Sequence, residues 1–224
     1  MLVCLLQVEF AIQMKCESCK EKIMKELSSL NNITIVDINA KEQRLLLQLN
    51  QESPSAFYIQ NLIETKLGIN TIIRGAGDFI TSVSEIRGSQ QYRNVFGVAR
   101  FVQNEKKHCL LDAVIDGLET GKLYHLGIFE YGDLSEPNYS SIGKETFPFA
   151  HNVSANSSTL NIKSKVENCD LASFIGRAFA IKTSGSTIIG AGIMARASNI
   201  MNNTKKICAC DGKTLWEERE ERKI

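Results

Sequence analysis

Four of the seven cysteines stand in two close pairs, Cys16/Cys19 and Cys208/Cys210. In Met14-Lys15-Cys16-Glu17-Ser18-Cys19, two thiols separated by two residues can converge on one ion. A helix starting at this point favours their thiolate forms. Soft thiolate ligands select Cu(I) or Zn(II) over hard cations. A closed zinc site wants about four ligands, and no second CxxC or paired histidine follows at a suitable distance. Two-coordinate Cu(I) needs this pair alone. An exposed two-ligand site also admits an incoming thiolate, which permits transfer rather than storage. A redox dithiol is the competing reading of the same spacing. Cys208-Ala209-Cys210 poses a different problem. In an extended chain the α-carbons of residues i and i+2 lie up to roughly 7 Å apart, at or beyond the range that suits a disulfide. A bond there would be strained and readily exchanged, or both sulfurs could turn onto one Cu(I).

The remaining composition limits the alternatives. Three histidines, His108, His125 and His151, cannot build a centre that needs four or more imidazoles; they read as isolated, structural or solvated residues. With 26 basic and 25 acidic residues the chain has no global charge to draw nucleic acid or an anionic membrane. Hydrophobic residues at 43% and charged residues at 23% mark an ordinary globular chain of 224 residues. An odd cysteine count in a chain this long is not a secreted disulfide framework. The opening MLVCLLQVEF lacks a basic flank and is broken at Gln7 and Glu9, unlike a signal peptide. No apolar run approaches the roughly 18 residues of a membrane span, so a cytoplasmic protein is expected.

Three regions must position these thiols. Residues 1–75 alternate in period. Val8, Phe10 and Ile12 predict a strand with one buried face. Ser18 to Leu30 carries Ile23, Leu27 and Leu30 at helical spacing, with Met24 beside them. Ile33 to Ile38 and Leu45 to Leu49 predict two further strands. A second helix is expected to begin at Ser53-Pro54, with Ser as cap and Pro in the first position, and to stop near Gly68. Ile69 to Ile73 predicts the last strand. The order is that of an α+β ferredoxin-like sandwich, βαββαβ. Residues 76–200 change texture to short β-rich runs between turns, at Asn94 to Val102, Cys109 to Ile115, Tyr124 to Phe129, Thr159 to Ile162, Phe174 to Ile181 and Thr187 to Met194. This predicts an all-β sandwich or barrel. Residues 201–224 hold Trp216 and few other large apolar groups, and read as a flexible tail that orders on contact.

Met-x-Cys-x-x-Cys within a βαββαβ unit resembles the heavy-metal-associated domain of copper chaperones and copper-transporting ATPases. That resemblance implies Cys16 and Cys19 as Cu(I) ligands, with Met14 packed beneath the loop as support. The segment Ile207-Cys208-Ala209-Cys210-Asp211-Gly212-Lys213-Thr214-Leu215-Trp216-Glu217-Glu218-Arg219 closely resembles the C-terminal signature of the copper chaperone for superoxide dismutase family. This family joins a copper-chaperone domain, a Greek-key dismutase-like domain and a CxC tail, the order inferred above. It implies that Cys208 and Cys210 hold Cu(I) and carry copper transfer or disulfide exchange at the client.

Asp116-Gly117-Leu118, Glu130-Tyr131-Gly132-Asp133 and Ile175-Gly176-Arg177 resemble landmarks of a Cu/Zn superoxide dismutase, and Gly192 to Ala197 its final strand. By that pattern Gly127 and Phe129 stand where two histidines belong, and Lys182 replaces another copper ligand. Ile142 to Val153 reads as a shortened zinc loop holding only His151. Asn138-Tyr139-Ser140 and Ala191 fall near the positions of the dismutase's own cysteines. The resemblance therefore implies a dismutase scaffold with its zinc site, copper site and disulfide absent. Such a scaffold could still recognise a dismutase as a two-fold partner, through Tyr131, Gly132, Ile175, Gly176, Arg177 and Ile193. Cys109 reads as a buried strand residue, and Cys4 and Cys169 have no assigned partner.

The expected function is a copper metallochaperone, not an enzyme, that loads Cu/Zn superoxide dismutase as a heterodimer and promotes the client's disulfide. A thiol–disulfide oxidoreductase that handles no copper is the alternative, and a dismutase with appended domains is a weaker one. The resemblance leaves room for a copper importer as donor, a homodimer at rest, and residence in the mitochondrial intermembrane space besides the cytoplasm.

Overall fold

The computed structural model describes residues 6–50, 52–77, 79–155, 157–203 and 212–221. They fall into two compact units, Met1–Asp78 with Ser198–Ile224, and Phe79–Ala197. Ser198 to Ile200, read from sequence as the end of the middle region, thus belong with the first unit.

The first unit runs β1 (Leu6–Ile12), α1 (Glu17–Leu27), β2 (Ile33–Asn39), β3 (Arg44–Leu49), α2 (Ala56–Leu67) and β4 (Thr71–Ala76). Its antiparallel sheet has the order β2-β3-β1-β4, the ferredoxin-like arrangement expected. Val8, Phe10 and Ile12 of β1 and Leu45, Leu47 and Leu49 of β3 face Ile23 and Leu27 of α1 and Ile59 and Ile63 of α2, forming one core. Gly68 ends α2 in the left-handed conformation, φ +64°, with its N–H on the Glu64 carbonyl, as a C-terminal glycine does.

Two local expectations are corrected. The cap of α2 is Ser55, whose hydroxyl accepts from the Tyr58 N–H at 3.0 Å, and not Ser53. Ser53 is buried; its hydroxyl accepts from the Asn50 N–H at 2.7 Å and donates to the Asn32 carbonyl, so it is committed to the loop before the helix. The first strand, expected to bury one face, is buried on both. Glu9, on the face away from the helices, is 2% exposed. It lies 3.6 Å from the Arg74 guanidinium and accepts the Met201 N–H at 2.6 Å. Residues 198–201 return over this face: Ala76 N–H donates to the Ser198 carbonyl and Ile200 N–H to the Gly77 carbonyl. Gly75 permits the approach, since a β-carbon there would stand 2.5 Å from the Asn199 carbonyl oxygen.

Part of the expected tail is ordered on the same unit. α3 (Leu215–Glu221) is closed by a capping box: Glu217 N–H donates to the Thr214 hydroxyl, and Thr214 N–H to the Glu217 carboxylate. Arg219 then makes a bidentate pair with Glu64 of α2 at 3.0 and 2.7 Å.

The second unit is all-β: β5 (Ile80–Gly88), β6 (Phe96–Gln103), β7 (Cys109–Asp116), β8 (Leu123–Phe129), β9 (Glu145–Ser154), β10 (Leu160–Val166), β11 (Ala178–Thr183), β12 (Ile188–Ile193) and β13 (Ala195–Arg196). The order is β10-β7-β6-β5-β12-β11-β8-β9, with β13 on β5. The Ser164 hydroxyl of β10 donates to the Phe149 carbonyl of β9 at 3.0 Å, joining the two ends into a near-barrel. Phe101, Phe149 and Phe179 meet edge to face inside it, with centroids 4.9 to 6.1 Å apart. Ile142 to Val153, read as a shortened zinc loop, is mostly strand β9. Phe149 buries inward while Thr146 and Asn152 stay at the surface, and Pro148 is tolerated because β9 ends the strand order. Phe174, expected to open a strand, closes a 3-10 turn, Leu171–Phe174.

Candidate metal-binding site

The Met14–Cys19 loop leaves β1 at Ile12 and enters α1 at Glu17, and side chains from the neighbouring strand ends hold it. Gln43 amide donates to the Met14 carbonyl at 3.3 Å, and the Ile12 N–H to the Gln43 carbonyl at 2.9 Å. Asn70 accepts the Gln13 N–H on its carbonyl and donates its side-chain amide to Gln13 Oε1. Met14 is 3% exposed and belongs to the core of the unit. The two cysteines are left at the rim.

Cys16 occupies the N-cap position of α1 with extended backbone and makes no capping contact with its side chain. Its thiol is therefore free for a ligand. Cys16 is exposed and Cys19 half-buried, neither in a disulfide. Their Sγ atoms lie 3.8 Å apart. Two metal–sulfur bonds of about 2.3 Å span up to about 4.6 Å, so one soft ion fits between them. The Ser18 hydroxyl, 3.0 Å from Cys16 Sγ, is the largest of the contacts that lower the Cys16 pKa from 9.0 to about 7; the Cys19 N–H and thiol follow. The lowering favours the Cys16 thiolate, the form that binds metal. Ser18, Gln43 and Asn70 were not singled out in the sequence. Ser18 could have been, from its place between the cysteines, whereas the other two are brought in by the fold.

Cys208 and Cys210, the second predicted pair, and Cys4 lie outside the described residues. The helix that follows them is placed near the first site: Asn70, which holds Gln13, also donates to Glu220 at 2.9 Å.

In the second unit the three positions where the dismutase pattern wants ligands lie together. Lys182 pairs with the Glu145 carboxylate and stands over the Phe129 ring, 5.9 Å from its centroid. A β-carbon at Gly127 would sit 2.3 Å from Glu145 Oε1, so glycine makes room for that carboxylate. Among the described residues no three His, Cys, Asp or Glu side chains are grouped to hold an ion. His125 and His151, read as isolated, face each other with Nδ1 atoms 2.9 Å apart, because β8 and β9 pair here across a register shift. His108 lies 3.9 Å from Glu167.

The six predicted contact residues also converge. Ala178 N–H donates to the Tyr131 carbonyl at 3.0 Å, Gly176 N–H to the Met194 carbonyl and Met194 N–H to the Arg177 carbonyl, both at 2.8 Å. Gly132 is pressed against Gly176, where a β-carbon would come within 2.0 Å of the carbonyl oxygen. Around this backbone knot Tyr131 and Ile193 stand 58% and 44% exposed, Ile175 is half-buried, and the Arg177 guanidinium lies 5.8 Å from the centre of the Phe174 ring. Cys109 and Cys169, unpaired in the sequence reading, are neighbours in the core of this unit, each shifting the other's pKa.

Residues 9–66 match the heavy-metal-associated domain family. Over nearly its whole length the chain is similar to curated proteins. It is 30% identical to the superoxide dismutase 1 copper chaperone of Kluyveromyces lactis, covering 96% of this chain and 93% of that protein. It is likewise 30% identical to the copper chaperone for superoxide dismutase of Homo sapiens, covering 95% and 88%. Among solved structures, a Candida albicans superoxide dismutase 5 variant is 10% identical, with 57% of this chain and 99% of that one covered at a TM-score of 0.42.

Proposed function

From the premise that the chain belongs to the copper chaperone for superoxide dismutase family, we propose that it takes Cu(I) on Cys16 and Cys19 and delivers it to a Cu/Zn superoxide dismutase. The observation that carries this is the pair of sulfurs 3.8 Å apart at the rim of a braced loop. Two ligands hold Cu(I) while leaving its coordination open to a third sulfur, so the ion passes by stepwise thiolate exchange without being released to water. Cys208 and Cys210 are the acceptors or final donors in that relay. As a disulfide they also serve the client's thiols: one client thiolate attacks a tail sulfur, the mixed disulfide forms, and the second client thiolate displaces it. Two electrons pass from the client to the tail.

The second unit selects the client. Its knot of Tyr131, Gly132, Ile175, Gly176, Arg177 and Ile193 presents a dismutase-like contact face for a heterodimer, and the same face can serve a homodimer at rest. Lys182 with Glu145 supplies a fixed cation at the place of a copper ligand, which disfavours a metal centre there and so disfavours dismutation by the chain itself. No helix among the described residues is long and apolar enough to cross a membrane; the cytoplasm is the proposed site of action.

Cu(I)-loaded protein incubated with reduced, copper-free dismutase tests the reading when client copper content and client disulfide are followed together. Both are expected to rise, and Cys208→Ser with Cys210→Ser is expected to stop at least the disulfide. Client oxidation with no copper uptake would instead select the oxidoreductase.

A further inference from the structure

Cys109 and Cys169 are fully buried, each 0% exposed, and the copper relay uses neither. Cys109 opens β7, and Cys169 sits in the turn between β10 and the 3-10 turn Leu171–Phe174. That turn is fastened to the β6–β7 hairpin on both sides of Cys169. Its own N–H donates to the Lys107 carbonyl at 3.0 Å, and the Leu171 N–H donates to Gln103 Oε1 at 2.5 Å. Gln103 is the register partner of Cys109. Cys109 and Cys169 are thereby brought to one junction between the turn and the hairpin, inside the same buried core. These positions differ from Asn138-Tyr139-Ser140 and Ala191, where the resemblance to a dismutase would have put a disulfide.

We propose that Cys109 and Cys169 form a redox-active dithiol that closes to a disulfide on exposure to a peroxide, locking the turn at residues 167–171 to the β6–β7 hairpin. The inference is independent of copper delivery. Cys169 is the attacking sulfur: it sits in the turn, whose opening reaches it before Cys109 on β7, and the neighbouring Cys109 thiol holds its pKa below the usual thiol value, while Cys169 and burial push Cys109 up. The Cys169 thiolate attacks one oxygen of hydrogen peroxide. The O–O bond breaks, a sulfenic acid forms on Cys169, and the departing hydroxide leaves as water with the former thiol proton. The Cys109 sulfur then attacks Cys169 sulfur, the S–O bond breaks, and a second water carries off the Cys109 proton. Two thiols and one peroxide yield one disulfide and two waters. Access requires only local opening of the turn, whose Glu167, Asn168 and Asp170 are exposed and whose Asn168 already has φ +56°.

The turn leads into Leu171–Phe174 and then Ile175-Gly176-Arg177, so the bond restrains the approach to the exposed knot. Closing a loop of about sixty residues constrains the unfolded chain, and a rise in Tm of about 5–10 °C is expected. The test treats the full-length protein, with Cys4, Cys16, Cys19, Cys208 and Cys210 replaced by Ser, with hydrogen peroxide. Non-reducing peptide mapping should show a Cys109–Cys169 cross-linked peptide, and the Tm should rise and return on reduction. In Cys169→Ala on the same background the Tm should not respond to peroxide. Sulfinic acid at either cysteine without the cross-link, or both thiols unmodified after the turn is opened by mild denaturant, would overturn the proposal. Should the serine background fold poorly, the parent protein is mapped in its place, and the presence or absence of the same cross-linked peptide decides.

Discussion

Ser18 controls the charge of Cys16 more than any other neighbour, so Ser18→Ala should move the Cys16 pKa up from about 7 toward 9.0. A thiol is charged above its pKa. Between these two values the variant therefore holds less thiolate than the parent, and Cu(I), which must displace the remaining proton, should bind with apparent affinity falling up to tenfold per pH unit. Above pH 9 the two proteins should converge. Alkylation rates at Cys16, read by mass spectrometry against pH, give the midpoint directly; an unshifted midpoint would remove Ser18 from the site. The approach of Cys16 to Cys19 beside a buried Met14 was legible in the sequence because their spacing is local. The mutual approach of Cys109 and Cys169 was not legible, since it depends on which turn folds back over which hairpin.

At the scale of elements, period and punctuation carried far. The alternation of Val8, Phe10 and Ile12, the helical spacing of Ile23 and Leu27, and Gly68 as a stop all recur in the structure. Ser53 and Ser55 show where such signals end. Both flank Pro54 and either could cap a helix, but tertiary contacts decide between them by drawing Ser53 inward onto Asn32. Ser55→Ala should accordingly cost about 1 kcal/mol, the loss of a cap. Ser53→Ala should cost about 1–3 kcal/mol, because it removes a buried hydroxyl that bonds both the Asn32 carbonyl and the Asn50 N–H. Urea unfolding of the two variants checks the ranking, and a costlier Ser55→Ala would contradict it. β9 was misread for a related reason. Edge strands alternate weakly, and Pro148 with the register shifts against β8 erases what alternation there was.

For the molecule as a whole, the proposed contact face is assembled from three separated stretches, around Tyr131, Gly176 and Ile193. Tyr131→Glu and Ile193→Glu should each abolish association with the dismutase while leaving Tm within about 1–2 °C of the parent, since both side chains face solvent. Sedimentation with the copper-free client measures the first and calorimetry the second. Gly132→Ala should lower the Tm as well, because its β-carbon meets the Gly176 carbonyl and overpacking costs about 1–3 kcal/mol. Texture divides the chain into three successive regions, but it could not reveal that residues 198–201 lie back on β1 and β4. That return bears on how the protein is born. Chains emerge from the ribosome amino end first, so β1 to β4 are exported before the residues that cover Glu9 and Arg74. The copper-binding unit must wait, one face open to water, while Phe79–Ala197 is translated. The first part to be made is the last to be finished.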